Sequence, residues 1–179
     1  MTMKKLSPSE PRASIYITLD FPPRIPATKY ERLARRIPYT RTSFLTPYTL
    51  ELQLLANINE LENVISKLIK YISSLPGEIV VCIEYWFTFP LITCPCSKDL
   101  VCIDEFRDKT LYIYCNIKEK YFSLRFFRVK PVTPIDPFTV TRSAFKYCDM
   151  PINLTKILEH IVTHAEIATN YMKERVKKN

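Results

Sequence analysis

Glycine is the scarcest feature of this sequence, because the chain of 179 residues has one glycine, Gly77, against 14 prolines. Glycine allows positive φ angles and lets a backbone approach a phosphate group closely. The chain accordingly has no Gly-x-Gly-x-x-Gly fingerprint, no glycine-rich phosphate loop and no nucleophile elbow. These nucleotide-binding and hydrolase classes are excluded. Few glycines and many prolines are also typical of heat-adapted, thermophilic proteins.

Long apolar runs are a second absence. No run approaches the roughly 20 residues that cross a bilayer. The first residues, MTMKKLSPSEPR, have a basic start but no apolar stretch behind it, unlike a secretory signal. We therefore expect a cytoplasmic protein that does not contact membranes. A flexible tail is predicted over residues 1–13 and a single domain over 14–179, since the hydrophobic content of 47% is that of a folded chain.

Positive charge is present in excess, with 26 Lys and Arg against 18 Asp and Glu. The excess is uneven along the chain. Residues 1–50 hold nine basic and three acidic residues, 51–110 hold five and nine, and 111–179 hold twelve and six. Basic ends around an acidic middle favour an acidic partner, either a nucleic acid or a protein subunit.

Five segments have strand patterns and three have helix patterns. The strands are predicted at residues 14–19, 48–55, 78–89, 110–117 and 121–129, and the helices at 28–37, 59–75 and from about 153. The pairs Thr28–Glu31 and Asn59–Glu62 predict capping boxes. The almost continuous apolar run 78–89 predicts a central strand covered on both faces. The fold class is α+β, with a mainly antiparallel sheet of about five strands, two long helices and one short basic helix.

Three cysteines, Cys94, Cys96 and Cys102, cluster within "LITCPCSKDLVC". Together with Cys148 they are candidates for a zinc site, although Cys-x-Cys is tighter than the usual zinc knuckle. A disulfide from Cys102 to Cys94 or Cys96, a nucleophilic thiol, and free thiols in a surface loop are the alternatives. We expect no cofactor.

The remaining cysteines and the two histidines have simpler interpretations. Cys82 and Cys115 lie in apolar strands, where small buried residues are expected. His160 and His164 share one helix face, as a metal pair does, but the intervening residues lack the glutamate of a His-Glu-x-x-His hydrolase. Packed or interfacial histidines are expected.

Arginine mixed with tyrosine is the main functional signal. The stretch "KYERLARRIPYTRTSF" brings several such residues together, and "KEKYFSLRFFRVK" is a second example. The candidate binding residues are Arg32, Arg35, Arg36, Tyr39, Arg41, Arg125 and Arg128. Arginines and aromatic rings contact phosphates and bases, and they are equally enriched in protein interfaces. A solvated basic face is the alternative.

The segment "TCPCSK", residues 93–98, resembles the Cys-Pro-Cys-Ser-Lys segment of the metal-dependent type IB GTP cyclohydrolases, which have the tunnelling fold. The resemblance implies a zinc-dependent enzyme in which Cys94 or Cys96 binds the metal. The chain is shorter than that family, and no downstream glutamate and histidine ligand motif is found.

The chain is compact, rich in Ile, Lys and Tyr and poor in glycine, and with its stretch 21–55, which contains "RIPYTR" at residues 36–41, it resembles proteins of Sulfolobales and their viruses. It is similar in particular to the small accessory subunit of the Cmr-type (type III-B) CRISPR effector. That resemblance implies a dimeric, non-catalytic subunit of an RNA-guided antiviral complex. We therefore expect a homodimeric, non-enzymatic protein that contacts protein subunits of a ribonucleoprotein, with RNA as a further partner. A viral protein that binds a host complex would have the same surface chemistry.

Overall fold

The computed structural model describes residues 10–90, 101–107, 109–116, 121–126 and 146–177. The strands are β1 (Arg12–Asp20), β2 (Thr40–Thr46), β3 (Thr49–Asn57), β4 (Val80–Pro90), β5 (Val101–Phe106), β6 (Lys109–Asn116), β7 (Tyr121–Phe126) and β8 (Tyr147–Asp149). The helices are α1 (Ala27–Ala34), α2 (Leu61–Ser73) and α3 (Pro151–Lys177), and a 3₁₀ turn, Ile58–Glu60, precedes α2.

The eight strands form one antiparallel sheet. Seven of them follow the order β2-β3-β1-β4-β7-β6-β5. The short strand β8 also pairs with β4, beside the part of β4 that comes before the β7 pairing. The first half of the chain runs β1-α1-β2-β3-α2-β4. With the strand order β2-β3-β1-β4, this half has the split βαβ topology of ferredoxin-like domains. Strands β5 to β7 extend the sheet beyond β4.

Alternating apolar residues build a core on one face of the sheet. The buried positions include Ile15, Ile17 and Leu19 of β1, Leu50, Leu52 and Leu54 of β3, and Val81, Ile83 and Phe87 of β4. Because strand side chains alternate between faces, these residues all point the same way. They meet the apolar stripes of the helices, which carry the buried residues Leu68 and Ile72 of α2 and Leu158 and Ile161 of α3.

The helices lie on this same face. The hydroxyl of Tyr71 in α2 donates a hydrogen bond to the backbone carbonyl of Tyr30 in α1 (3.0 Å). Helix α3 packs along α2 and reaches the extension of the sheet, where Phe106 and Tyr171 make an edge-to-face contact at 5.4 Å between ring centroids. In the part of the chain that the structure describes, no helix covers the opposite face, which is called the open face below.

The predicted α+β class, with a mainly antiparallel sheet, two long helices and one short basic helix, is confirmed. The sheet contains three further strands, β2, β5 and β8. Strand β1 begins at Arg12, so the last two residues of the predicted tail belong to the sheet, and residues 1–9 lie outside the described ranges. None of the helices described is long and apolar enough to cross a bilayer.

Two details of the prediction are wrong. Strand β4 is central, but its alternate residues Cys82, Glu84 and Trp86 are only half-buried, so it is not covered on both faces. Neither α1 nor α2 has a side-chain hydrogen bond at its N-cap, so the predicted capping boxes are absent. Glu31 instead accepts a hydrogen bond from the hydroxyl of Thr42 (2.7 Å), which attaches α1 to β2.

Candidate nucleic-acid interface

Two stacked aromatic rings and an arginine cross the middle of the open face. Tyr16 of β1 and Trp86 of β4 are nearly parallel, with ring centroids 5.0 Å apart and an interplanar angle of 15°. The guanidinium carbon of Arg125 in β7 lies 4.3 Å from the centroid of Trp86. Since the strand order is β1-β4-β7, Trp86 lies between the other two. We call Tyr16, Trp86 and Arg125 the stacking platform.

Carboxylates and an amide surround the platform. Glu84, which opposes Tyr16 in the β1–β4 register, has a carboxylate oxygen 3.6 Å from Nη1 of Arg125. On the other side of Tyr16, Gln53 of β3 is its register partner. The side-chain amide of Gln53 donates to Oε1 of Glu51 at 2.5 Å. The open face therefore combines flat π-surfaces with both signs of charge.

A groove of about 630 Å³ lies beside the platform. Its base is formed by two small residues that oppose one another, Thr18 of β1 and Cys82 of β4. Tyr16 and Trp86 form one end, and Glu51 and Lys146 are among the side chains that line it. A volume of this size is within the range of small-ligand sites.

Two of the predicted binding arginines lie on the open face. Arg125 belongs to the platform, and Arg41 of β2 opposes Gln53, which places it on the same face. Arg41 is exposed. The prediction for Arg128 falls outside the described residues. The structure therefore places two residues from distant segments of the sequence on one face, although β3, β1 and β4 lie between their strands.

The arginines in α1 and directly after it form a separate basic surface, the α1 surface, on the helix side of the sheet. Arg32, Arg35 and Arg36 are all exposed. Arg35 pairs with Glu31, and its Nε donates to the hydroxyl of Thr42 at 3.3 Å, so its charge is partly neutralised. Among the described residues, neither Arg32 nor Arg36 has a carboxylate partner. These two supply most of the positive charge that α1 offers to a partner.

Tyr39, also a predicted binding residue, has a structural role. It joins α1 to β2 with a φ angle of 63°, and its carbonyl accepts a hydrogen bond from the backbone of Leu55 (3.3 Å). Its ring packs against the core. A hydrogen bond from its hydroxyl to Glu60 raises the pKa of Tyr39. The turn thus holds Tyr39 against the protein.

Cys82 and Cys148 form a disulfide between β4 and β8, where they are direct register partners. Cys82 is therefore not a small core residue as predicted. A disulfide sulfur is no longer a thiolate, so Cys148 does not fit the proposed role of a zinc ligand. Among the described residues, no group of three or more His, Cys, Asp or Glu side chains could hold a metal.

The predictions for the other loop cysteines lie outside what is described. Residues 91–100, which include Cys94 and Cys96, are not described, and neither are the side chains of Cys102 and Cys115. Their zinc, disulfide and free-thiol interpretations stay predictions. The backbone of Cys102 lies in β5, opposite Ile113 of β6.

His164 is packed, as was expected from the apolar stripe of α3. A hydrogen bond of 2.5 Å joins its Nδ1 to the hydroxyl of Tyr85, and its ring stacks on Phe126 with centroids 4.2 Å apart. Burial raises the pKa of Tyr85, which keeps this hydroxyl protonated. Tyr147 stacks on the other side of Tyr85, at 6.2 Å between centroids. This cluster joins α3 to β4 on the core face.

Tyr16, Glu51 and Trp86 are the interface residues that sequence reasoning missed. One signal for them exists within the apolar run of β4. Glu84 has the opposite parity to Val81, Ile83 and Tyr85, and a charged residue at that parity indicates a face that is not buried. Cys82 and Trp86 count as apolar and conceal the alternation.

A scan of protein-family models finds no match to this chain, and a search of curated proteins finds no significant match. The class is therefore defined by the structure: an α+β protein with a ferredoxin-like half, an extended antiparallel sheet and helices on one face. The open face of that sheet carries the stacking platform and the adjacent groove.

Proposed function

We propose that this chain is a non-catalytic accessory subunit of a nucleoprotein assembly, and that its open face binds single-stranded RNA. The observation that carries the proposal is the stacking platform of Tyr16, Trp86 and Arg125 on the sheet face that none of the described helices covers. Because Trp86 has Tyr16 on one side and Arg125 on the other, an unpaired base would stack on the face of Tyr16 that is turned away from Trp86.

Charge favours the same ligand. The chain has a formal net charge of +8, and Arg41 places a cation on the same face as the platform, two strands away from Tyr16. Arginine contacts phosphates and stacks on bases. An unpaired strand fits better than a duplex, because the bases of an A-form helix are already stacked on one another and cannot reach the rings.

Trp86 provides the test, because it is the only tryptophan of the chain. A single-stranded RNA of about nine nucleotides, within the site size of single-strand binders, should quench its fluorescence as the RNA is titrated. Replacing Tyr16 with Ala should weaken binding by about tenfold, since stacking contributes roughly 1–3 kcal/mol per base. Duplex RNA of the same length should bind more weakly.

Tyr48→Ala is the matched control, because Tyr48 is an exposed tyrosine at the turn between β2 and β3. It should leave the affinity unchanged. If RNA neither quenches Trp86 nor binds at low salt, the open face is not an RNA surface and the proposal fails. Equal losses for the two tyrosine variants would also contradict it.

The α1 surface supports the second half of the proposal, contact with a protein subunit. Arg32 and Arg36 lie on the helix side, with the sheet between them and the platform. A molecule with RNA on one face and an acidic subunit on the other would act as an adaptor within the assembly. In a co-purification experiment, the acidic partner subunit should be recovered with wild-type protein but not with the Arg32→Ala/Arg36→Ala variant. Equal recovery would contradict this role.

The proposed homodimer would form through the sheet edge at β2, where Phe44 is 43% and Leu45 57% exposed. Antiparallel pairing of two β2 strands about Ser43 sets Arg41 of each copy opposite Leu45 of the other, so like charges do not meet. Light scattering should find a dimer for wild type and a monomer for Phe44→Glu. Ile152→Glu, on exposed Ile152 of α3, should remain dimeric. If the Phe44→Glu variant were still a dimer, the edge at β2 would be excluded as the dimer interface.

The assembly we propose is the type III-B CRISPR effector of archaea, in the cytoplasm, on the sequence resemblance at residues 36–41. Purification of the tagged chain from its native host, with identification of associated proteins and RNA, tests this assignment. Effector subunits and guide RNA are the expected companions. Association of a virus-encoded chain with another host complex would support the viral alternative instead.

A further inference from the structure

The groove beside the platform places a carboxylate where a stacked base would present its edge. Thr18 at its base is flanked in register by Glu51 on β3 and by Cys82 on β4. Neighbouring side chains across an antiparallel pair are about 4.5–5.5 Å apart at Cβ. A planar ring lying over small Thr18, next to Tyr16, would therefore face the side chain of Glu51.

Gln53 holds the side chain of Glu51. The amide of Gln53 donates to Oε1, and a carboxylate has lone pairs on both oxygens for further donors. Glu51 is half-buried, so its charge is only partly exposed to water. A carboxylate beside an RNA chain repels the phosphates, and this cost is offset only when the carboxylate accepts a hydrogen bond from the ligand.

We propose that Glu51 makes the open face selective for bases that carry an exocyclic amino group, a proposal that rests on the proposed RNA-binding function. Cytosine presents an amino donor at the position where uracil presents a carbonyl acceptor. A glutamate accepts from the amino group of cytosine. Uracil in the same position sets two acceptors against each other, and Glu51 then gains no hydrogen bond from the ligand, which is unfavourable.

Oligocytidine and oligouridine of about nine nucleotides are the probes, because their rings differ at this amino or carbonyl position. Binding is measured by anisotropy of end-labelled RNA and by quenching of Trp86. Wild type should bind oligocytidine about tenfold more tightly, as expected for a hydrogen bond to a charged group. Glu51→Ala should bring the two affinities together, by weakening oligocytidine and strengthening oligouridine binding.

Glu62→Ala is the matched control, because Glu62 is an exposed glutamate of α2, on the other side of the sheet. It should keep the preference for oligocytidine. Equal binding of both probes by wild type would overturn the role of Glu51 and leave the proposed RNA binding intact. Binding of neither probe would overturn both.

One further outcome would show that Glu51 binds a cationic group and not a base. Acidic and aromatic side chains together also hold cationic groups. A short arginine-rich peptide is therefore added to the complex with oligocytidine. If the peptide displaces oligocytidine from wild type and Glu62→Ala but not from Glu51→Ala, Glu51 binds cations and the proposed selection of bases is overturned. The absence of such displacement, together with the preference of wild type for oligocytidine, supports it.

Discussion

Gly77 is the single glycine of the chain, yet its backbone does not need a glycine. Its φ angle is not positive, and a Cβ atom built on it would have no neighbour within 4 Å. Replacement of such a glycine by alanine restricts the unfolded chain without straining the folded one. Gly77→Ala should increase the free energy of unfolding by about 0.4–1 kcal/mol, measured by urea denaturation. A decrease would show that the turn uses a conformation that alanine does not tolerate.

His164 makes stability depend on pH. Burial, followed by the charges of His160 and Lys109, lowers its pKa to about 4, against an ordinary value of 6.5. Above pH 6.5 the imidazole is neutral in both states. As pH falls from 6.5 towards 4, the unfolded chain takes up a proton that the folded chain excludes, so the free energy of unfolding decreases. His164 accounts for a decrease of at most about 3 kcal/mol in the free energy of unfolding, at about 1.4 kcal/mol per pKa unit.

The measurement compares denaturation midpoints between pH 7 and pH 4 for wild type and two variants. His164→Phe keeps a ring against Phe126 and should remove this part of the pH dependence, although it also loses the bond to Tyr85. His160→Gln should keep most of it, because the burial of His164 is unchanged. Identical pH slopes in wild type and His164→Phe would exclude His164 as the source.

The disulfide attaches the short strand β8 to β4. It closes a loop between residues 66 positions apart in the sequence, which restricts the unfolded chain. Replacing Cys82 and Cys148 together with Ser should lower the free energy of unfolding by about 2–4 kcal/mol. A reductant should lower the melting temperature of wild type towards that of the variant and leave the variant unchanged. Equal melting temperatures without reductant would contradict this contribution.

Elements that bury an apolar stripe were predictable, and those without one were not. Strand β1 alternates Ile15, Ile17 and Leu19 because one face contacts the core. Strand β2, at the sheet edge, has no buried residue and therefore no apolar period. Strand β8 has three residues and depends on a distant disulfide partner. Exposure at the sheet edge removed the local signal in β2, and short length with non-local pairing removed it in β8.

The candidate interface was predictable only in part, because it depends on contacts between strands that are distant in the sequence. Arginine and tyrosine content selected Arg41 and Arg125 as candidate binding residues. It could not identify Tyr16 or Trp86 as their neighbours, because the neighbours follow from strand order. Trp86 meets Tyr16 on one side and Arg125 on the other only because β4 lies between β1 and β7. Composition also grouped the arginines of α1 with Arg41, whereas the sheet separates them.

At the scale of the whole molecule, two basic surfaces lie on opposite sides of one sheet. Arg41 shares the open face with the platform, while Arg32 lies on α1 and Arg36 just after its C-terminal end. Salt screens exposed charges over about 10 Å at 0.1 M, so each surface acts mainly on what it contacts. The salt dependence of binding therefore reports which surface the phosphates of RNA touch.

Three variants separate phosphate contact from stacking. Arg41→Ala should reduce the slope of log affinity against log salt by about 0.7, the value for one phosphate contact of a single strand. Tyr16→Ala should lower the affinity at every salt concentration without changing the slope, because stacking releases no counterions. Arg32→Ala/Arg36→Ala should leave the slope close to that of wild type. If Arg32→Ala/Arg36→Ala instead reduced the slope by the amount expected for two phosphate contacts, the RNA would pass around β2 and bind both sides of the sheet.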